Sequence, residues 1–266
     1  MALDRARERA FVACPFDMLK EQFLERLLQE RINPEIGLNG AIMSRYTFRA
    51  FHSVAGALER AQLRCSIHAP FIDIFPGAFD PVIRQVCMNR IRDAIDLAVL
   101  FGAEHVVMHT GFEPTMFGEV RDQWLVNFLS SLELILSHAE DAGVRIMLEN
   151  VFEKDTSLHQ RIFAEIPSDR LGFCLDIGHV MAFSETPLEQ WLNDVGERIG
   201  HLHLHDNRGA SDEHLAIGEG EGDFDLLFSW LSKRGIHPVI TIEAHDADRV
   251  VPSLKALESL LGRYPI

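Results

Sequence analysis

The chain has 266 residues and 47% of them are hydrophobic, which supports a sizeable core and excludes a disordered polymer. Its formal net charge of -15 argues against a nucleic-acid partner, although bound divalent ions could reverse the sign locally. Four cysteines without a CxxC pair, a charged start (Met1-Ala2-Leu3-Asp4-Arg5) and no run of membrane-span length predict a cytoplasmic protein with no membrane partner.

In chain order, short apolar runs alternate with amphipathic ones. Eight runs read as strands: 11–14, 35–38, 64–68, 105–109, 145–149, Leu171–Asp176, 201–205 and 239–243. They are almost continuously apolar, as strands buried on both faces must be. Between the first two, Asp17 is expected to cap a helix whose Leu19, Phe23, Leu24, Leu27 and Leu28 share one face. Asp80-Pro81 opens another, with Pro at its first position and an apolar line through Ile83, Cys87, Ile91, Ile95 and Ala98. A further helix carries Trp124, Phe128, Leu132 and Leu136. Gly102, Gly143 and Gly235 each fall between a helix and the next strand, where a left-handed cap turns the chain back. This rhythm predicts an α/β fold, a single (β/α)8 TIM barrel over residues 1–266 as one domain. A doubly wound open sheet is the alternative.

The strands end in a pattern. The third closes at His68, the fourth at His109, the fifth at Glu149, the sixth at Asp176 and the eighth at Glu243; the seventh holds His201, His203 and His205. Strand alternation puts those three histidines on one face and Leu202 and Leu204 on the other. One such residue alone reads as a hydrogen-bonded core group. Six strands each closing on an ionisable group is costly unless the groups serve a shared purpose, and a barrel brings all six ends to one mouth. The set predicts a divalent metal site, with Zn or Mn first, then Fe, Co or Mg. The loop beyond the seventh strand adds Asp212 and His214, two positions apart, with Gly218 and Gly220 after them.

These segments, HAPF, HTG, LEN, LDIGH, HLHDN, DEH with GEG, and IEA, resemble the xylose-isomerase-like barrel superfamily in identity and order from about Arg64 to Glu243. That superfamily includes sugar-phosphate isomerases and epimerases and apurinic endonucleases of the endonuclease IV type. The resemblance implies one metal held by Glu149, Asp176, His203 and Glu243 in the sugar pattern. In the endonuclease pattern it implies up to three ions, with His68, His109, His179, Asp212 and His214 added. All nine positions match. The residues after Glu149-Asn150, after Asp176 and after the HAPF segment depart from the endonuclease pattern, and lysines are scarce.

Under the sugar reading Glu149 and Glu243 are the catalytic pair, one removing a proton and the other returning it through an enediolate. His68, His109, His179, His205 and Arg208 are candidate substrate contacts, Arg208 for a phosphate if the substrate carries one. The implied partner is a small carbohydrate; a homo-oligomer is compatible with it. Under the alternative reading the chain is a multinuclear zinc phosphodiester hydrolase. A metal-storing module is the third and weakest reading, since storage does not need two opposed carboxylates.

Overall fold

The computed structural model describes residues 3–266. Eight strands form it: β1 (Ala10–Pro15), β2 (Asn33–Gly37), β3 (Ser66–His68), β4 (Val106–His109), β5 (Ile146–Glu149), β6 (Leu171–Asp176), β7 (Ile199–Leu204) and β8 (Val239–Ile242). They hydrogen-bond in sequence order into a closed parallel barrel with helices between them, the (β/α)8 fold. The return of β8 onto β1, with Ala10 opposite Ile240 and Val12 opposite Ile242, excludes the open sheet. Among the described residues, no helix is long and apolar enough to cross a membrane.

Internal packing divides the chain into two compact units. One comprises Cys14–Glu149 and Arg161–Leu171. Within it β2 to β5 pair in parallel, Gly37 opposite His68, His68 opposite Val107, and His109 opposite Glu149. The helices Pro81–Phe101 and Arg121–Asp141 belong to this unit. Asp80 caps the first by accepting from the Val82 amide at 2.7 Å, a contact worth about 1 kcal/mol. Its buried line runs through Cys87, Ile91, Ile95 and Ala98, whereas Ile83 is exposed, so the apolar stripe begins one turn later than the sequence suggests. Trp124 is fully buried, stacks on Phe128 with ring centroids 5.0 Å apart, and leaves no room for a side chain at Gly77.

The other unit comprises the described residues up to Ala13, Asn150–Gln160 and Gly172–Ile266. Within it Asp176 lies opposite His203 on β6 and β7, and His203 opposite Thr241 on β8. Leu202 and Leu204 are fully buried on the opposite face from His201 and His203. Trp191 stacks parallel to Phe173, which covers the outer face of β6.

Gly102, Gly143 and Gly235 take the left-handed conformation, with φ of 60°, 72° and 66°. One cap is corrected. The helical segment after β1 starts at Phe16, behind Pro15, and the Asp17 side chain accepts only from the next amide, that of Met18. The segment then passes through a π-turn at Leu19–Phe23 before Leu24–Glu30.

Candidate active site

In the first unit described, β4 and β5 are apolar up to His109 and Glu149, on which they end, and the three-residue β3 (Ser66–His68) ends on His68. The Glu149 side chain is buried and its Oε2 lies 3.1 Å from His68 Nε2 and 3.1 Å from His109 Nε2. The His68 Nδ1 is 2.9 Å from the Ala69 carbonyl, so this nitrogen carries a hydrogen and donates. In a neutral ring the Nε2 lone pair then faces the carboxylate oxygen. Either a ring proton or a cation must sit in that contact, and the donor set suits a divalent metal. Phe71, half-exposed, stacks over His109 with centroids 4.7 Å apart.

In the other unit two groups form. Asp176 ends β6, is fully buried, and caps the helix Ile177–Phe183 by accepting from the His179 amide at 2.7 Å. Asn150 clamps the Asp176 backbone, its Nδ2 donating to the carbonyl at 3.0 Å and its Oδ1 accepting from the amide at 2.9 Å. His203, fully buried, places Nδ1 3.2 Å from Glu243 Oε1 and 3.8 Å from Asp176 Oδ2. Glu243 itself lies one residue past β8, and its amide donates to the Leu204 carbonyl at 3.2 Å.

The second group is His179, His205, Asp212 and His214, whose donor atoms all lie within 4.8 Å of one another. Asp212 Oδ2 is 3.0 Å from His214 Nε2 and 3.5 Å from His179 Nε2, and Oδ1 is 3.5 Å from His205 Nδ1. His205 Nδ1, His214 Nδ1 and Asp212 Oδ1 are buried with no hydrogen-bond partner. Buried polar atoms are normally satisfied, so the orphaned His205 Nδ1 and Asp212 Oδ1, 3.5 Å apart, fit a cation between them, whereas His214 Nδ1 lies 3.8 Å from Glu243 Oε2. Burial alone would raise the Asp212 carboxyl. The hydrogen bonds from His179 and His214 and the nearby His179 and His205 charges outweigh it and hold the group well below the usual carboxylate range. Burial works to lower the His205 imidazole, yet Asp176, 3.1 Å from its Nε2, raises it above its ordinary value.

Within their units the structure thus assembles all nine expected ligand positions into such groups. His201 is different: its Nε2 meets the Thr241 hydroxyl at 2.8 Å deep in the strand layer. Arg208, a candidate phosphate contact or a surface residue, has a protein partner here. Its guanidinium pairs with Glu213 at 2.7 Å and its side chain is 57% exposed, which directs it to the surface. Asp206 and Arg249 were not among the expected residues, and both organise the loop that bears Asp212 and His214. The Asp206 carboxylate, fully buried, accepts from the amides of Gly218, Gly220 and Gly222 at 2.9, 2.9 and 3.0 Å. The alternate glycines are the signal for it, since a Cβ on Gly220 would stand 2.4 Å from Asp206 Oδ1.

Comparison with known proteins places this arrangement. Residues 36–261 match the family model described as xylose isomerase-like TIM barrel. The uncharacterized protein MJ1311 of Methanocaldococcus jannaschii is 34% identical over 210 residues, 76% of this chain and 72% of that protein. A solved D-tagatose 3-epimerase-like protein superposes with a TM-score of 0.84 at 30% identity, covering 96% of this chain and 97% of its own. More distant relatives bear both kinds of name. Fructoselysine 3-epimerase of Shigella flexneri is 26% identical (68% of this chain, 67% of that protein), and the probable endonuclease 4 of Oceanobacillus iheyensis is 26% identical (60% and 59%). The chain belongs to the xylose isomerase-like TIM barrel family.

Proposed function

We propose that this protein is a divalent-metal-dependent epimerase or isomerase of a small ketose, with Glu149 and Glu243 as its proton-transfer pair. The observation that carries the reading is the Asp176–His203–Glu243 group, in which an imidazole and two carboxylates from three successive strand ends meet around one buried nitrogen. Glu149, which ends β5, is the fourth ligand that the resemblance to the sugar pattern implies. The 30% identity to a D-tagatose 3-epimerase-like structure supports the same class.

A bound ion would polarise the substrate carbonyl and acidify the neighbouring C–H. Glu149 or Glu243 takes that proton, leaving an enediolate, and the other glutamate returns one. Return to the opposite face of the same carbon inverts it; return to the former carbonyl carbon moves the carbonyl. His68 and His109 fix the Glu149 carboxylate at 3.1 Å each, which keeps its free lone pairs directed. Asn150 fixes the Asp176 backbone on both sides.

The test is exchange of carbon-bound hydrogen with solvent deuterium in free ketohexoses, D-tagatose among them, by the wild type, Glu149→Gln and Glu243→Gln. Loss of a general acid or base should cost about 10²–10⁴-fold in each variant. Undiminished exchange in both would end the reading. One observation favours a second reading, a multinuclear phosphodiester hydrolase: the His68–His109–Glu149 and His179–Asp212–His214 contacts are assembled although the sugar mechanism needs only one ion. Elemental analysis decides where to look. About one ion per chain directs the search to ketoses, and two or three zinc or iron ions direct it to phosphodiesters and abasic DNA.

A further inference from the structure

His214 has a φ of 47°, in the left-handed region that residues other than glycine enter uncommonly and at a cost. The loop around it is fixed in two places. Asp206 gathers the amides of Gly218, Gly220 and Gly222, and its own backbone bridges Leu215, with N–H···O distances of 3.0 and 2.8 Å. Neither device touches the carbonyls of Glu213 and His214. Those two oxygens converge on one atom. Arg249 Nη1, in the first turn of the helix Ala247–Arg263, donates to Glu213 O at 2.8 Å and to His214 O at 2.7 Å. Asp246 Oδ2, 3.6 Å from Arg249 Nε, steadies the guanidinium from its other side.

The geometry has a direct consequence. The Glu213 carbonyl belongs to the peptide plane that rotates with the φ of His214, and the His214 carbonyl to the plane that rotates with its ψ. A single donor that holds both oxygens therefore holds both dihedrals. With them fixed, the His214 ring lies between His205 and His245, with centroids 3.8 and 3.7 Å apart, and its Nε2 is aimed at Asp212 Oδ2 at 3.0 Å. The orphaned His205 Nδ1 and Asp212 Oδ1, 3.5 Å apart, lie in this same group.

We propose that Arg249 is the positioning residue for the His179–His205–Asp212–His214 group, setting the strained backbone of His214 before a cation arrives. The proposal rests on the reading that this group holds a metal, and goes beyond it by naming what sets the geometry. Arg249 touches neither ion nor substrate in this role. Its contribution is to make the group preorganised, so that binding does not have to force His214 into the left-handed region.

The experiment is a zinc titration of chelator-stripped protein against a chromophoric competitor, with metal-free thermal unfolding measured in parallel. Asp212→Ala defines which part of the zinc uptake belongs to this group. Arg249→Met, which keeps the stem and removes the donors, should weaken that part about 10–100-fold, the usual cost of losing an outer-shell partner. Arg249→Lys should restore most of it, because an ammonium can donate to both carbonyls. If the Met variant does not fold, Arg249→Gln, with a shorter stem, takes its place with the same expected loss. Full-affinity zinc uptake in the Met or Gln variant overturns the proposal. So does a loss shared equally by the Lys variant and matched by a fall in metal-free Tm, which marks a merely structural residue. Equal zinc uptake by the wild type and Asp212→Ala overturns the metal reading itself, and this inference with it.

Discussion

Gly178 and His205 compete for one space: a Cβ on Gly178 would stand 1.9 Å from His205 Cε1 and 2.3 Å from its Nδ1. The absent side chain in the LDIGH segment is what lets the imidazole lie against the helix Ile177–Phe183 and reach Asp176. Two effects oppose each other in Gly178→Ala. Alanine gains about 1 kcal/mol of helix propensity, while overpacking a filled site costs about 1–3 kcal/mol. His205 is fully buried and stacked on His214, so it has nowhere to retreat, and the clash should win. The variant is expected to unfold at lower denaturant and to lose zinc affinity in the His205 group. A variant as stable as the wild type, with full zinc uptake, would show that the ring can move aside.

The four cysteines are all buried and free. Burial, with a smaller contribution from Asp17, pushes the Cys14 thiol up to about 12; burial, with Glu104, does the same to Cys65. A thiol whose folded pKa is raised from 9.0 is neutral in both states below about pH 9, so its stabilising effect is complete there and is lost as pH rises toward 12. Native protein at pH 8 should therefore leave a disulfide-exchange reagent unreacted, and denatured protein should react at all four thiols. Unfolding free energy should start to fall above about pH 9, and Cys65→Ala should flatten that fall. Rapid reaction of the native chain would mean that these strands open far more readily than their packing implies.

The barrel was legible because parallel strands buried on both faces leave unbroken apolar runs, and 145–149 or Leu171–Asp176 can hardly be anything else. The candidate ligand positions stood out for the complementary reason: Glu149 and Asp176 are abrupt polar ends to those runs. Boundaries were less so. Nothing local distinguishes Glu243 inside β8 from Glu243 one residue beyond it, and Pro15, not Asp17, decides where the first helical segment starts. The supporting residues were hidden by distance. Arg249 acts on carbonyls 35 and 36 positions away, and only folding brings it to them. Asp206 left a trace in the spacing of Gly218, Gly220 and Gly222, although the loop composition alone could not say that their amides share one carboxylate.

Arg208 was one candidate for a phosphate contact in the sequence, with a surface residue as the equal alternative, and in the structure its partner is Glu213. Both its backbone amide, at 3.0 Å, and its guanidinium, at 2.7 Å, are engaged by Glu213. A pair this exposed contributes at most about 1 kcal/mol. Arg208→Ala should thus leave stability nearly unchanged and should not alter turnover of an uncharged ketose. Steady-state kinetics on matched free and phosphorylated sugars provides the check. A tenfold or larger rise in KM confined to the phosphorylated sugar would return Arg208 to the site.

Asp206 should be among the most sensitive positions in the chain outside the candidate ligand groups. Its Oδ1 accepts from the Asn207 and Gly222 amides at 2.9 and 3.0 Å, and its Oδ2 from Gly218 and Gly220 at 2.9 Å each. Hydrogen bonds to a charged acceptor are worth about 1.5–3 kcal/mol each, so even a non-additive loss of four in Asp206→Ala should exceed about 3 kcal/mol. Asparagine is the more telling replacement. It has the same shape, but its NH₂ would face two amide donors that cannot accept, leaving a repulsive contact where two bonds stood. Asp206→Asn is therefore expected to be nearly as destabilised as Asp206→Ala in urea unfolding, and to lose hydrogen-exchange protection at Gly218, Gly220 and Gly222 together. An asparagine variant within about 0.5 kcal/mol of the wild type would place it among ordinary surface substitutions, and would mean that the loop is held by its other contacts, the Leu215 bridge and Arg249.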